Sequence, residues 1–456
     1  MERLGHPDRA VREHTGATPG EPDRPHRPTA LDRFPWRLGD RTAVAWWVAP
    51  ALVWLVTRWM LLAEVLADAQ PWMRAVTGDI RIYAYWVSTL AEGRFPVDDH
   101  AWQYPPGAAL LIVAPDAVAR GDIGRYFYAF FTMVLLADAV TGWLLARRVR
   151  SGASQLGVWY WTLAIPALGL ICYSRLDVPV TAMAVAALAL AARPALAGLV
   201  IGFATAVKGW PIMLLGGFRR WGPAVRAGAG AGLLLTGCWL VLTLWFPDAF
   251  DFLTQQSRRG LEVEAVVATF FVLTRVGGDE KTDPEGAVQV SYRYGSWEFV
   301  GDGVETALAV AQIGLVLGLV FLAVWWLRAR WQEAVLADAA MCAALISMVT
   351  SRVLSPQYLI WAVGLAAVCL TYRRTSQRPI AAILLLCAVL TQLEFPVLWD
   401  GMFFRTPGFA GVVSVRNGLL VLATLWSAVR LWRSTRPLPR GTTAVTAETA
   451  GTNGAT

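Results

Sequence analysis

Apolar runs separated by short polar breaks recur along this chain from residue 43 to residue 432. The runs at 43–66, 125–146, 226–246, 303–327, 380–396 and 410–431 approach the ~20 residues needed to cross bilayer hydrocarbon. Runs at 155–171, 178–192, 334–350 and 356–371 are shorter and read as further membrane helices. Two half-length pieces, 195–207 and 210–218, are broken at Lys208-Gly209-Trp210-Pro211. Interrupted spans of this kind hold backbone and polar side chains at bilayer depth, which is stable only where they line a cavity. The run 107–119 carries Asp116 and is too short to cross, so it reads as a re-entrant or interfacial helix with Pro106 in its first turn. The pattern predicts an all-α integral membrane protein. It would be a polytopic helical bundle with about 11–12 membrane segments and short helices in the outer loops.

The polar positions are as telling as the apolar ones. Gly78-Asp79-Ile80 through Tyr104-Pro105-Pro106-Gly107 forms a polar, aromatic-rich stretch just after the first run. Ile80, Tyr83, Trp86, Val87 and Leu90 recur at helical spacing, which predicts a helix opened by Asp79. Its apolar face is expected on the bilayer surface, with Arg81 and Glu92 turned to water. Asp79 then has two readings, a catalytic base at a membrane–water boundary or an N-cap satisfying free amides. A second polar stretch, 247–301, holds Gln255 through Glu264, a turn-rich patch from Gly277 to Gly286, and alternating Val288, Val290, Tyr292 and Tyr294. That alternation predicts a small hairpin.

Composition agrees with the bilayer reading, at 56% apolar and 16% charged residues. The net charge of +7 would suit nucleic acid, but the arginines cluster at the ends of apolar runs, which is a topology signal. Arg33, Arg37 and Arg41 before the first run put the N-terminus in the cytoplasm. Arg147-Arg148, Arg193, Arg219-Arg220, Arg328, Arg373-Arg374 and Arg430 mark later cytoplasmic ends. Both termini are then cytoplasmic, and loops 67–124 and 247–301 are outer. The expected organisation is a disordered tail at 1–41, a membrane domain at 42–432 and a disordered tail at 433–456. The first run follows a long polar leader without a small-residue cleavage site, so it reads as a permanent span.

Cys172, Cys238, Cys342, Cys369 and Cys387 all lie inside apolar runs, which argues against a disulfide framework or thiolate cluster. His6, His14 and His26 fall in the leader, leaving His100. No His-based metal cage or Ser-His-Asp triad can be built, and neither metal nor cofactor is expected.

The outer face collects Asp79, Arg81, Asp98, Asp99, Arg175, Asp177, Lys208, Arg258, Arg259, Glu262, Glu264 and Arg352. A charge at bilayer depth costs ~3 kcal/mol on insertion scales, so those abutting apolar runs demand a cavity or a partner. An acid among several cations suits proton abstraction from a hydroxyl beside a negatively charged lipid substrate. Plainer readings stand beside these. Asp98-Asp99 reads as a solvated turn, Lys208 as a snorkelling anchor, Arg352 as an interfacial anchor and Arg258-Arg259 as loop charge. Trp102, Trp210 and Trp297 are the tryptophans placed to meet a sugar, interfacial belts being the alternative.

At these residues the chain resembles the GT-C superfamily of membrane glycosyltransferases. More narrowly it is similar to glycosyltransferase family 87, polyprenyl-phosphate-mannose-dependent mannosyltransferases typical of actinobacteria. The resemblance rests on Gly78-Asp79, Tyr104-Pro105-Pro106, Arg175-Leu176-Asp177, Lys208-Gly209-Trp210-Pro211, Arg259 through Glu264, and Ser351 through Tyr358. It implies Asp79 as the general base, with Lys208, Arg258, Arg259, Arg352, Arg175, Gln357 and Tyr104 around the donor phosphate and substrate. It also implies a polyprenyl-phosphate-linked sugar donor, a glycolipid or polysaccharide acceptor, inversion at the anomeric carbon, and no nucleic acid partner. A polytopic transporter or lipid-linked saccharide flippase is the rival, since broken helices and cavity charges suit it as well.

Overall fold

The structure, a computed structural model, describes residues 41–68, 70–150, 152–219, 221–278 and 287–436. The tails 1–40 and 437–456, with Arg33 and Arg37, lie outside the described residues, as do Arg220 and most of the 277–286 patch. The chain divides into a unit Met1–Val48, of which only the opening of the first helix is described, and a unit Ala49–Thr456 that holds everything discussed below.

Apolar runs become helices because hydrocarbon offers the backbone no hydrogen-bond partner, so each segment must satisfy itself. In order these are α1 (Arg41–Ala67), α2 (Met73–Ala91), α3 (Ala108–Val113), α4 (Asp116–Ala119), α5 (Ile123–Arg150), α6 (Leu156–Leu168), α7 (Asp177–Ala189), α8 (Pro194–Val207) and α9 (Gly222–Trp245). After the second polar stretch, with α10 (Phe252–Ser257) and α11 (Thr269–Thr274), come α12 (Val304–Arg328) and α13 (Val335–Val349). The chain closes with α14 (Leu359–Thr371), α15 (Arg378–Gln392), α16 (Asp400–Phe403) and α17 (Pro407–Ser434). Six described stretches, in α1, α5, α9, α12, α15 and α17, are long and apolar enough to cross a membrane. Shorter apolar helices fill the space between them, and the molecule is a polytopic all-α membrane protein.

The short helices form the middle. Every residue of α14 is buried, and α7 and α13 are buried on nearly all sides. A helix apolar all round belongs inside. The long ones present apolar side chains outward, with Leu244 79% and Leu317 64% exposed. α8 and α9 approach closely through small residues: a Cβ on Gly198 would lie 2.0 Å from the Ala227 carbonyl oxygen.

Three local features set up the site. α8 stops at Val207, because Pro211 lacks the N–H that would bond back into the helix. Lys208 is extended (φ −155°, ψ 122°), and a 3₁₀ segment, Trp210–Gly217, follows. In the second polar stretch β1 (Leu261–Glu262), β2 (Gln289–Arg293) and β3 (Ser296–Val300) form an antiparallel sheet in the order β1-β3-β2. The β2–β3 turn, Tyr294-Gly295, takes positive φ at both residues (51° and 77°), the backbone a two-residue hairpin requires. Ala101 lies against Gly295, so the hairpin tip meets the first polar stretch.

The third feature corrects two expectations. α2 begins at Met73, so Asp79 is interior and does not cap it. Met73 and Val76 extend the periodic apolar face upstream of Ile80, which is why the helix starts earlier. That face is also not laid on a bilayer surface. Met73, Val76, Ile80, Tyr83 and Trp86 are buried, and α2 packs on α3 and α5 while Arg81 and Glu92 stay exposed.

Candidate active site

At the end of the bundle where α7 and α14 begin and α8 breaks, the polar stretches surround a cavity of about 350 Å³. This lies within the ~300–1,000 Å³ usual for small-molecule sites. Asp79, Tyr104, Lys208, Arg259 and Gln357 line it.

Asp79 projects from the buried side of α2. Its Oδ2 meets Arg175 Nε at 2.7 Å, and the Asp79 side chain keeps 35% exposure. Arg175 is fixed from behind, because its guanidinium also donates to the carbonyls of Val76 and Ser174 at 3.1 Å. Burial raises the Asp79 carboxyl above its ordinary value, against the downward pull of Arg175 and Lys208. A base tuned upward, toward neutrality, is better matched to taking a proton from a hydroxyl.

Lys208 reaches the same cavity from the α8 break. Its ammonium donates to both oxygens of Asp177, at 2.8 and 3.0 Å, and stands 4.5 Å from the Tyr358 ring centroid and 5.3 Å from that of Trp361. Trp361 stacks between Trp210 and Tyr358, at 5.2 and 4.2 Å. Tyr104 pairs its hydroxyl with that of Tyr83 at 2.7 Å. Burial pushes its phenol up to about 12, so it remains a neutral O–H.

The second polar stretch supplies the opposite wall. Arg259 lies 3.4 Å from Glu298 and donates to Ser296 Oγ at 2.5 Å. Glu262 accepts from Leu354 N–H at 2.6 Å and Ser355 Oγ at 2.7 Å, tying β1 to the segment that carries Gln357 and Tyr358.

Not every expected residue arrives. Arg258 is exposed and does not line the cavity. Arg352 turns its guanidinium to the Arg259 carbonyl at 2.9 Å, where it pins the loop and not the cavity wall. Of the three tryptophans, Trp210 lines the cavity. Trp102 is buried against Trp86, and Trp297 packs on Phe403. Asp99 is more than a solvated turn, since it accepts from the Trp86 indole at 2.8 Å and from Ala101 N–H.

Asp177, Tyr83 and Ser296 were not singled out as site residues. Asp177 carried a signal, a carboxylate opening an apolar run in a chain whose next helix break holds Lys208, one of two lysines. Tyr83 and Ser296 carried none.

Beside the polar cavity runs an apolar groove of about 950 Å³ between α3, α8 and α9, walled by residues such as Leu110, Phe203, Trp239 and Phe246. Pro105, Gly209 and Phe252 border both spaces. The site can therefore take a molecule with one polar and one long apolar part, and hold a carboxylate and cations against the polar part.

No curated protein and no solved structure matches the chain. A family model described as glycosyltransferase family 87 matches residues 102–356, which include Arg175, Lys208 and Arg259 and begin after Asp79. That match spans more than half of the sequence, and the chain belongs to this family of GT-C-type membrane glycosyltransferases.

Proposed function

We propose that this enzyme transfers a sugar from a polyprenyl-phosphate carrier to a hydroxyl of a glycolipid or polysaccharide, with Asp79 as general base. The observation that carries the reading is the shared border of the polar cavity and the apolar groove at Pro105, Gly209 and Phe252. An isoprenoid chain fits the groove while its phosphate and sugar sit at Asp79. Mannose is the sugar implied by the family resemblance. The arginine-marked helix ends support a multi-pass placement with both termini cytoplasmic and the cavity on the outer face of the cell membrane.

The reaction is a single in-line displacement. An acceptor oxygen attacks the anomeric carbon from the face opposite the phosphate and passes its proton to Asp79. The bond from that carbon to the phosphate oxygen breaks, and polyprenyl phosphate leaves with the electron pair. Configuration inverts. Asp79 becomes neutral as the leaving phosphate gains a charge, so the charge in the cavity is conserved while it moves. Arg175, Lys208 and Arg259 are the cations within reach of that movement. The phosphodiester already activates the sugar, so the protein contributes position, base and charge neutralisation.

Membranes or purified enzyme supplied with radiolabelled polyprenyl-phosphate-mannose test this. Wild type is expected to transfer label to acceptor, and Asp79→Asn to lose transfer. Equal rates would remove Asp79 from the role of base. Movement of intact carrier lipid across liposomes with no transfer would favour the flippase.

A further inference from the structure

We infer that Asp177 is a positioning residue, which aims the Lys208 ammonium so that it can grip the phosphate of a lipid-borne donor. The inference rests on the proposed donor.

Lys208 sits where α8 has ended and before the next segment begins, on an extended backbone. Its flexible four-carbon stem has no helix to restrain it. Asp177 supplies the restraint. It is the first residue of α7 and fully buried, and it takes the ammonium with both oxygens while Oδ1 also accepts from Trp361 Nε1 at 2.6 Å. Trp361 is gripped twice, by that hydrogen bond and by stacking between Trp210 and Tyr358. The carboxylate thus fixes the lysine and the aromatic wall together.

A closed ion pair would look different. Here the Lys208 side chain is 13% exposed against 0% for Asp177, and it lines the same cavity as Asp79. An ammonium has three donors, and its contacts to Asp177 come from one side. The geometry leaves a cation held at the cavity wall, next to the border with the apolar groove at Gly209. A lipid phosphate anchored in that groove would meet it there.

A double-mutant cycle tests the inference, with farnesyl phosphate binding to the purified full-length enzyme as the first readout. Transfer, split into kcat and KM for the donor, is the second. Asp177→Asn and Lys208→Met are each expected to weaken farnesyl phosphate binding by roughly tenfold or more. The double variant should bind no more weakly than either single one, because Asp177 acts through Lys208. Asp177→Glu should regain part of the loss, which a generally damaged fold would not. KM for the donor should rise more than kcat falls. Additive losses, unchanged binding in Asp177→Asn, or absence of binding by wild type would each overturn the inference. An intact binding cycle in an enzyme that transfers no sugar would leave the phosphate grip standing and remove the transferase chemistry instead.

Discussion

Two aspartate–arginine pairs in this molecule have nearly the same length and opposite characters. Asp79–Arg175 closes at 2.7 Å with the aspartate side chain 35% exposed. Asp138–Arg58 closes at 2.9 Å between α5 and α1 with side chains 0% and 3% exposed. Asp138 is saturated: it also accepts from Trp54 and Trp161 indoles and from Tyr173 Oη. Arg58 spends a further donor on the Thr162 carbonyl at 2.7 Å. Both carboxylate oxygens are bonded more than once and both side chains are buried, so this network holds α1, α5 and α6 together. Asp79 has one strong partner and an open side facing a cavity. An ion pair at membrane depth becomes a candidate for chemistry when one member is left incompletely satisfied next to room for a ligand.

The sharpest way to break the comparison is to neutralise each acid. Asp79→Asn should cut transfer by roughly 10²–10⁴-fold and lower the melting temperature in detergent less than the Asp138 change does, because Arg175 keeps the Val76 and Ser174 carbonyls and the lost carboxylate is partly exposed. A similar rate would place the base elsewhere. Asp138→Asn should do the reverse. It leaves Arg58 buried and uncompensated, for a loss of about 3–5 kcal/mol, visible in thermal unfolding and yield, while the activity of each folded molecule stays within a few-fold. Replacing both Arg58 and Asp138 by methionine should recover much of that stability. If it recovers none, the network does more than neutralise itself.

A pH profile sharpens the open member of the comparison. As the proposed base, Asp79 would act only when ionised, so transfer should be present above its folded-state pKa and fall as the pH drops through it. Burial raises that pKa, which puts the acid limb above the ordinary carboxylate range. Arg175 pulls the pKa down, so Arg175→Gln should move the limb to higher pH. A limb that stays put, measured with saturating donor, would mean that another group titrates. The smallest expected effect is that of Arg258→Gln. Its exposed side chain stands off the cavity, and the change should alter kcat/KM by no more than about twofold. A large loss would bring the exposed loop that carries Arg258 into the site.

Much of this was legible from the order of residues. The interruption at Lys208-Gly209-Trp210-Pro211 foretold where α8 ends, because proline removes a donor wherever it stands. The alternation from Val288 to Tyr294 foretold β2, and Gly295 supplied the turn. The Asp138 network went unread although its signal was present, since an aspartate and an arginine lay inside uninterrupted apolar runs. The opposite error befell α2. Its periodic face was visible, but periodicity says only that one side is apolar, and either lipid or protein can cover it.

What the chain determined alone is therefore local: which stretches must be helical in hydrocarbon, where they must stop, and which residues carry charge. Those follow from backbone hydrogen bonding and transfer free energy, which act within each segment. Only the tertiary structure decided that Asp79 would meet Arg175 and that Lys208 would meet Asp177. It also decided that Arg258 would point away while its neighbour Arg259 turned inward. Such pairings depend on how short central helices pack between long outer ones, and a one-residue change in register or rotation redirects a side chain without altering the hydropathy of the segment that bears it.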